Sequence, residues 1–163
     1  MNPQRLLAIG GMILVLVGLV YGAVFAAFLP PLRNKPPTLE KEALQAIDRL
    51  ALEEALQKWD TRTRLLSIRE FNRGAHTHCT LMGLTAVVFA PYLGKTSFGT
   101  GVKYLLAAGT LLGALVLPSG VAVETWNVGL GRLLALVGGV LFLLSLLVIT
   151  LGYISGGNQS QGE

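Results

Sequence analysis

The stretch LLAIGGMILVLVGLVYGAVFAAFL, residues 6–29, decides the fold because it contains no Asp, Glu, Lys or Arg. A helix of roughly 20 residues rises far enough to cross the roughly 30 Å of hydrocarbon in a bilayer. Three later stretches of similar length also lack these residue types, namely residues 75–93, 104–123 and 133–154. None of the four alternates polar and apolar residues as a barrel strand does. The sequence therefore predicts an all-α, four-transmembrane-helix bundle.

The composition also favours a membrane location. Of the 163 residues, 52% are hydrophobic and only 13% are charged, and the mean hydropathy is +0.60. A soluble domain of this length is far less apolar. The net charge is +4, but the basic residues lie outside the apolar stretches and are mixed with acidic ones, which favours the lipid bilayer over nucleic acid as their partner. We expect one multi-pass domain, residues 1–163, in the inner (plasma) membrane of a cell.

The first apolar stretch also has features of a secretory signal, since Arg5 precedes it and small residues lie near its end. It is longer than the core of a usual signal, and Pro30 and Pro31 follow it where a membrane boundary is expected. We interpret it as a retained membrane anchor.

A charged segment joins the first two spans. The proline pairs at 30–31 and 36–37 predict an extended linker over residues 32–35, because proline removes a backbone donor and disfavours helix before it. Thr38 then has the residue type and position of an N-cap. An extramembrane amphipathic helical segment is predicted over residues 38–73.

Two apolar stripes run along this segment at helical spacing. The first contains Leu39, Ala43, Ile47 and Leu50, and the second contains Leu52, Ala55, Leu56 and Trp59. On one helix they lie on different faces, so the apolar face changes direction near residue 51. Either the segment folds back at a kink, or one helix contacts two partners. Trp59 and the arginines that follow it suit lipid headgroups.

The distribution of basic residues predicts the orientation. Those within residues 33–73, together with Arg132, outnumber the three on the other side, which are Arg5, Lys95 and Lys103. The positive-inside rule then places the helical segment in the cytoplasm and both termini outside.

Small residues predict where the spans pack closely. Gly18 with Gly22, and Gly109 with Gly113, form GxxxG pairs, which allow two helix backbones to approach each other. The sequence leaves open whether these pairs join helices of one chain or of two chains.

Residues 69–83, REFNRGAHTHCTLMG, hold both histidines of the chain at the entry to the second span. Residues two apart on an α-helix point about 200° away from each other, so His76 and His78 cannot bind one ion together. The topology also predicts that the end of the third span, with Glu124, lies at the depth of these histidines.

Three interpretations of this cluster remain open. In the first, the side chains form hydrogen bonds with neighbouring helices or headgroups. In the second, His76 and Cys79 bind a metal completed by Glu124, or a haem takes His78 with Met82 nearby, and His76 is a further candidate for contact with such a cofactor; neither haem nor copper is favoured. In the third, a His/Glu pair serves a membrane enzyme that acts on lipid or quinone.

Three short motifs carry a family resemblance, namely REF at 69–71, HTH at 76–78 and MG at 82–83. With them the chain resembles an uncharacterised bacterial family of small four-helix membrane proteins that have His-Thr-His at the start of the second span. This resemblance implies the architecture and supplies no activity. More remotely, a histidine early in a second helix with a methionine after it is similar to the core subunit of haem-copper oxidases, although the later ligand histidines of that family have no counterparts here. The oxidase resemblance would place the histidines on the outer side of the membrane, against the charge count.

Together these patterns predict a small non-enzymatic membrane protein that serves as an accessory or assembly subunit, with a respiratory or redox complex as one candidate assembly. The alternatives are a haem- or copper-binding redox protein and a lipid- or quinone-acting enzyme. A membrane-protein partner or a homo-oligomer is expected.

Overall fold

The computed structural model describes residues 1–157, except the side chains of residues 28–31 and 157. Its four helices are α1, Pro3–Asp48; α2, Leu52–Lys95; α3, Thr100–Val123; and α4, Val128–Gly157. Each contains a stretch that is long and apolar enough to cross a membrane. The prediction of an all-α chain with four such stretches is confirmed.

Helix α1 does not end at the first proline pair. Its N-cap is Asn2, whose side-chain oxygen accepts a hydrogen bond from the Arg5 amide at 2.8 Å, and the helix continues from Pro3 through both proline pairs to Asp48. The predicted extended linker over residues 32–35 is therefore wrong. Each proline removes one helical hydrogen bond. Helix α2 packs against α1 on both sides of the proline pairs, and this tertiary contact holds the helix together.

Thr38 is not an N-cap, because it lies within α1. Its hydroxyl donates to the carbonyl of Asn34 at 3.2 Å, which is the usual way for a threonine inside a helix to satisfy its hydrogen-bonding group. The helix that the sequence predicts to begin at residue 38 has begun at Pro3.

The chain folds back at residues 49–51. Helix α1 ends at Asp48, Leu50 adopts a left-handed backbone with φ of 59°, and α2 begins at Leu52. This confirms the first of the two explanations for the change in apolar face near residue 51. Residues 32–74 thus form an antiparallel helical hairpin, here called the charged hairpin, which is continuous with the two apolar stretches on either side of it.

Small side chains form the seam of the charged hairpin. Ala43 and Ala46 of α1 and Ala55 of α2 are buried, whereas Ile47 and Leu50 of the first predicted stripe are exposed. Of that stripe, Ala43 therefore belongs to the packing surface of α1, and Ile47 and Leu50 do not. Alanine lets two helices approach closely, and in this antiparallel pair the alanines, rather than the larger apolar residues, lie at the contact.

Glycines form the seam where α1 and α2 continue into the apolar half, which comprises residues 3–27 and 75–157. A Cβ atom added at Gly11 would lie 2.7 Å from the carbonyl oxygen of Gly83. Gly18 and Gly22 contact Thr80 and His76 of α2 in the same way. The first GxxxG pair therefore joins two helices of one chain.

The second GxxxG pair likewise acts within the chain. Gly113 of α3 lies against α4, where an added Cβ would be 2.6 Å from the amide nitrogen of Phe142, and Gly109 lies against Ser145. Helix α3 also packs on α1 and α2, while α4 contacts α2 and, among the described residues, not α1. Two hairpins thus form the bundle, and α3 and α4 cover one side of the α1–α2 pair.

Candidate functional site

His76 joins α2 to α1. Its Nδ1 lies 2.6 Å from the carbonyl oxygen of Gly18, and its half-buried ring packs against Gly22. A carbonyl only accepts hydrogen bonds, so Nδ1 carries the hydrogen in this contact. Gly22 leaves the space that the ring occupies. The first interpretation of the sequence, a hydrogen bond between neighbouring helices, describes this geometry.

His78 lies on a different side of α2 and is exposed. This agrees with the predicted angle between two residues that are two apart. Met82, the other residue of the proposed haem site, is buried in a cluster with Leu14, Ala114 and Phe142. The structure therefore does not place His78 and Met82 in a common buried pocket.

Cys79 is buried in the same cluster. Its thiol donates to the carbonyl of Leu14 at 3.4 Å, so it also connects α2 to α1. Like His76, it directs its polar atom at a backbone carbonyl of the neighbouring helix. Such contacts satisfy polar groups where no water is available.

Glu124 lies at the end of α3, where it packs against Gly131 of α4. The predicted depth of this end is right, since Val121 of α3 is adjacent to Gly74 of α2. Within residues 1–157, however, no three His, Cys, Asp or Glu side chains lie close enough to share a metal ion. The predicted ligands His76, Cys79 and Glu124 are not brought together in this arrangement.

The sequence did not predict a polar contact between Tyr21 and Asn72. The Tyr21 hydroxyl donates to the side-chain oxygen of Asn72, whose amide donates to the carbonyl of Ile68 at 2.7 Å. Tyr21 is the one tyrosine among residues 6–29, and that position in an otherwise apolar stretch was the available clue. An apolar cleft of about 140 Å³ lies beside it, between α1, α2 and α3.

The charged hairpin carries the most unusual surface of the molecule. Six large apolar side chains on it are exposed, with accessible fractions from 46% to 85%. They are Leu44, Ile47, Leu50, Leu52, Leu56 and Trp59, and they are called here the apolar face of the hairpin. A surface patch of this kind in water marks a site of contact with another molecule.

Five of these residues lie on one side of the hairpin, and Leu50 lies at its tip. Each residue of an α-helix is rotated by about 100° from the residue before it. When two helices face each other and run in opposite directions, this rotation turns the residue after a seam position towards the same side of the pair on both helices. Leu44 follows the buried Ala43, and Leu56 follows the buried Ala55. Ile47 lies three residues after Leu44, and Leu52 and Trp59 lie four before and three after Leu56, so they share these faces.

Ion pairs occupy the opposite side. Glu42 and Glu54 each precede a seam alanine, and both contact the Lys58 ammonium, at 2.6 and 3.6 Å. That one lysine reaches both carboxylates confirms that residues before the seam share a side. The hairpin thus has one charged side and one apolar side.

A second ion pair bounds the apolar face. Arg62 contacts Glu40 at 2.7 Å and lies 5.0 Å above the ring of Trp59. Trp59 is 16 residues before Ala75, about 24 Å along α2, and its position among lipid headgroups stays a prediction. Arg69 and Arg73 lie within two helical turns of Ala75, and their predicted contact with lipid headgroups also stays a prediction.

Comparison of the chain with protein-family models, with curated proteins and with solved structures found no match. The resemblances drawn from residues 69–83 stay predictions.

Proposed function

We propose that this chain is an integral membrane protein of the plasma membrane, crosses the bilayer four times, and works as a non-enzymatic accessory or assembly subunit. It acts through protein contacts made by the apolar face of the hairpin. The lipid bilayer surrounds the apolar half, and the charged hairpin stands in the aqueous phase.

One observation carries this proposal, namely the exposure of six large apolar side chains on a segment that cannot enter lipid. Residues 32–74 contain nine basic and seven acidic residues, which rules out burial in hydrocarbon. In this proposal the lipid surface is also out of reach, since Trp59 lies about 24 Å from the start of the second apolar stretch. A protein surface is the remaining cover for the apolar face.

The geometry of the histidine region supports a structural role for it. His76 and Cys79 each bind a backbone carbonyl of α1, and Met82 packs in the core. These contacts account for three of the residues proposed as ligands. The haem, copper, lipid-enzyme and respiratory-complex alternatives remain predictions from sequence.

The test is a double variant, Leu52→Glu with Leu56→Glu, which places two charges on the apolar face without touching the seam. After extraction from native membranes with a mild detergent, we expect the natural chain to run in an assembly heavier than one chain and the variant to run as a monomer. The matched control is Thr61→Glu, an exposed position on the charged side of the same helix. The proposal fails if the natural chain is monomeric, or if the double variant keeps the mass of the natural assembly.

A further inference from the structure

We infer that the molecule covering the apolar face of the hairpin is a second copy of this chain, related to the first by a twofold axis along the membrane normal. This inference rests on the proposed function, in which that face is the contact surface. Its basis is the charge pattern of the face, the area of the face and the topology of the chain.

The charge pattern permits self-association. Between the hairpin tip and the Arg62–Glu40 ion pair, the middle of the apolar face contains no charged residue, while Asp48 and Asp60, four residues after Leu44 and Leu56, lie at its edge. On the opposite side, Lys58 and Arg49 pair with the carboxylates of Glu42 and Glu54 within the chain. Two copies that meet through this face therefore bring no unpaired like charges together at its centre, which a twofold contact requires.

The area is sufficient for a stable dimer. If a partner covers the six side chains completely, they bury roughly 700 Å² per chain, close to the roughly 800 Å² that each partner contributes to an interface of standard size. Trp59 supplies an aromatic anchor. Because its ring already packs under Arg62, it loses little conformational freedom when a partner binds.

The topology also suits a pair of copies. Two chains in one membrane present their hairpins on the same side, so a twofold axis along the normal places α1 of each copy beside α2 of the other. Every helix of the resulting four-helix bundle is antiparallel to its neighbours, as in common up-down-up-down bundles. Ile47 and Leu52 point towards the axis, since they lie nearest the middle of the apolar side.

The same side of the α1–α2 pair is free in the apolar half. Residues that precede seam positions there, such as Cys79 and Met82, are buried against α3 and α4. Residues that follow seam positions, such as Met12, Leu19 and Leu84, are exposed. A second copy seated on the hairpin can therefore continue along the pair without meeting α3 or α4.

Cysteine crosslinking tests the inference. Cys79 is the one native cysteine and is buried, so Leu52→Cys adds a single accessible thiol. In native membranes treated with a short bismaleimide, we expect Leu52→Cys to give a crosslinked dimer as the main species. Thr61→Cys, on the charged side, and the natural chain should remain monomeric on a denaturing gel. Two differently tagged copies expressed together should also purify with each other.

The outcomes separate this inference from the proposed function. If the tags do not purify together and Leu52→Cys gives no dimer, while a heavier assembly still depends on Leu52 and Leu56, the second copy is excluded and the docking function stands. If no assembly forms at all, both fail. A dimer band of equal strength from Thr61→Cys would also overturn the inference, because it would indicate random collision.

Discussion

The α1–α2 pair is held together differently in its two halves. In the apolar half the seam consists of glycines and of side chains that bind backbone carbonyls, as His76 binds Gly18. In the charged hairpin the seam consists of alanines flanked by ion pairs, as Lys58 pairs with Glu42. Lipid is as apolar as leucine, so close backbone contact and hydrogen bonds must hold helices there.

The comparison also shows what is unusual about the hairpin. In water, a two-helix hairpin is expected to bury its largest apolar residues, because their burial is the main stabilising force. Here alanines occupy the seam, while Leu52, Leu56 and Trp59 remain outside. The hairpin thus gives up part of its own stability and keeps an apolar surface exposed.

The largest expected effect comes from breaking the glycine seam. Gly11→Leu places a side chain where a Cβ alone would lie 2.7 Å from the Gly83 carbonyl, so the two backbones must separate. We expect a loss of about 3 kcal/mol in the free energy of unfolding, measured by denaturation in detergent micelles and followed by circular dichroism. Gly101→Leu, which has open space around it, is the control and should change stability little. Equal stability of the two variants would contradict the close contact at this seam.

An intermediate effect is expected at the histidine that joins the helices. His76→Leu removes the hydrogen bond to the Gly18 carbonyl and should cost about 1 kcal/mol in the same assay. His78→Leu changes the same residue type at an exposed position and should be neutral. If His78→Leu were the more harmful of the two, His78 would have a role that the helix packing does not supply.

The smallest effect concerns the ion pair of the hairpin. The hydrogen bond from the Lys58 ammonium to the Glu42 carboxylate raises the pKa of Lys58 above its ordinary value. A raised pKa in the folded state means that the pair stabilises the hairpin below the ordinary pKa of lysine, and that this contribution is lost as the pH rises through the raised value. Hydrogen exchange of the hairpin amides should therefore lose protection at alkaline pH.

Lys58→Met should remove that dependence, whereas Lys41→Met, at an exposed position, should keep it. The apolar half should show the same exchange in all three proteins, because its seam contains no ion pair. An alkaline loss of protection that persists in Lys58→Met would assign it to another group.

Several features of the fold and the site followed from residue types alone. The four apolar stretches, the opposite directions of His76 and His78, and the depth of the α3 end all depend on helix period and chain connectivity. The course of α1 through the prolines at 30–31 and 36–37 did not follow, because local preference disfavours helix there and packing on α2 outweighs it. The hydrogen-bond partner of Tyr21 could not be predicted from the sequence either, since Asn72 lies 51 residues away in the chain.

The sequence by itself determined that this protein has four helices suited to a bilayer and a charged segment between the first two, because hydropathy and length are local properties. Only the tertiary structure decided that the segment is a hairpin, that alanines rather than leucines form its seam, and that the leucines and Trp59 share one exposed side. These facts depend on which residues of α1 meet which residues of α2. That pairing is set by the turn at Leu50 and by the packing of two long helices, and no single stretch of sequence contains it.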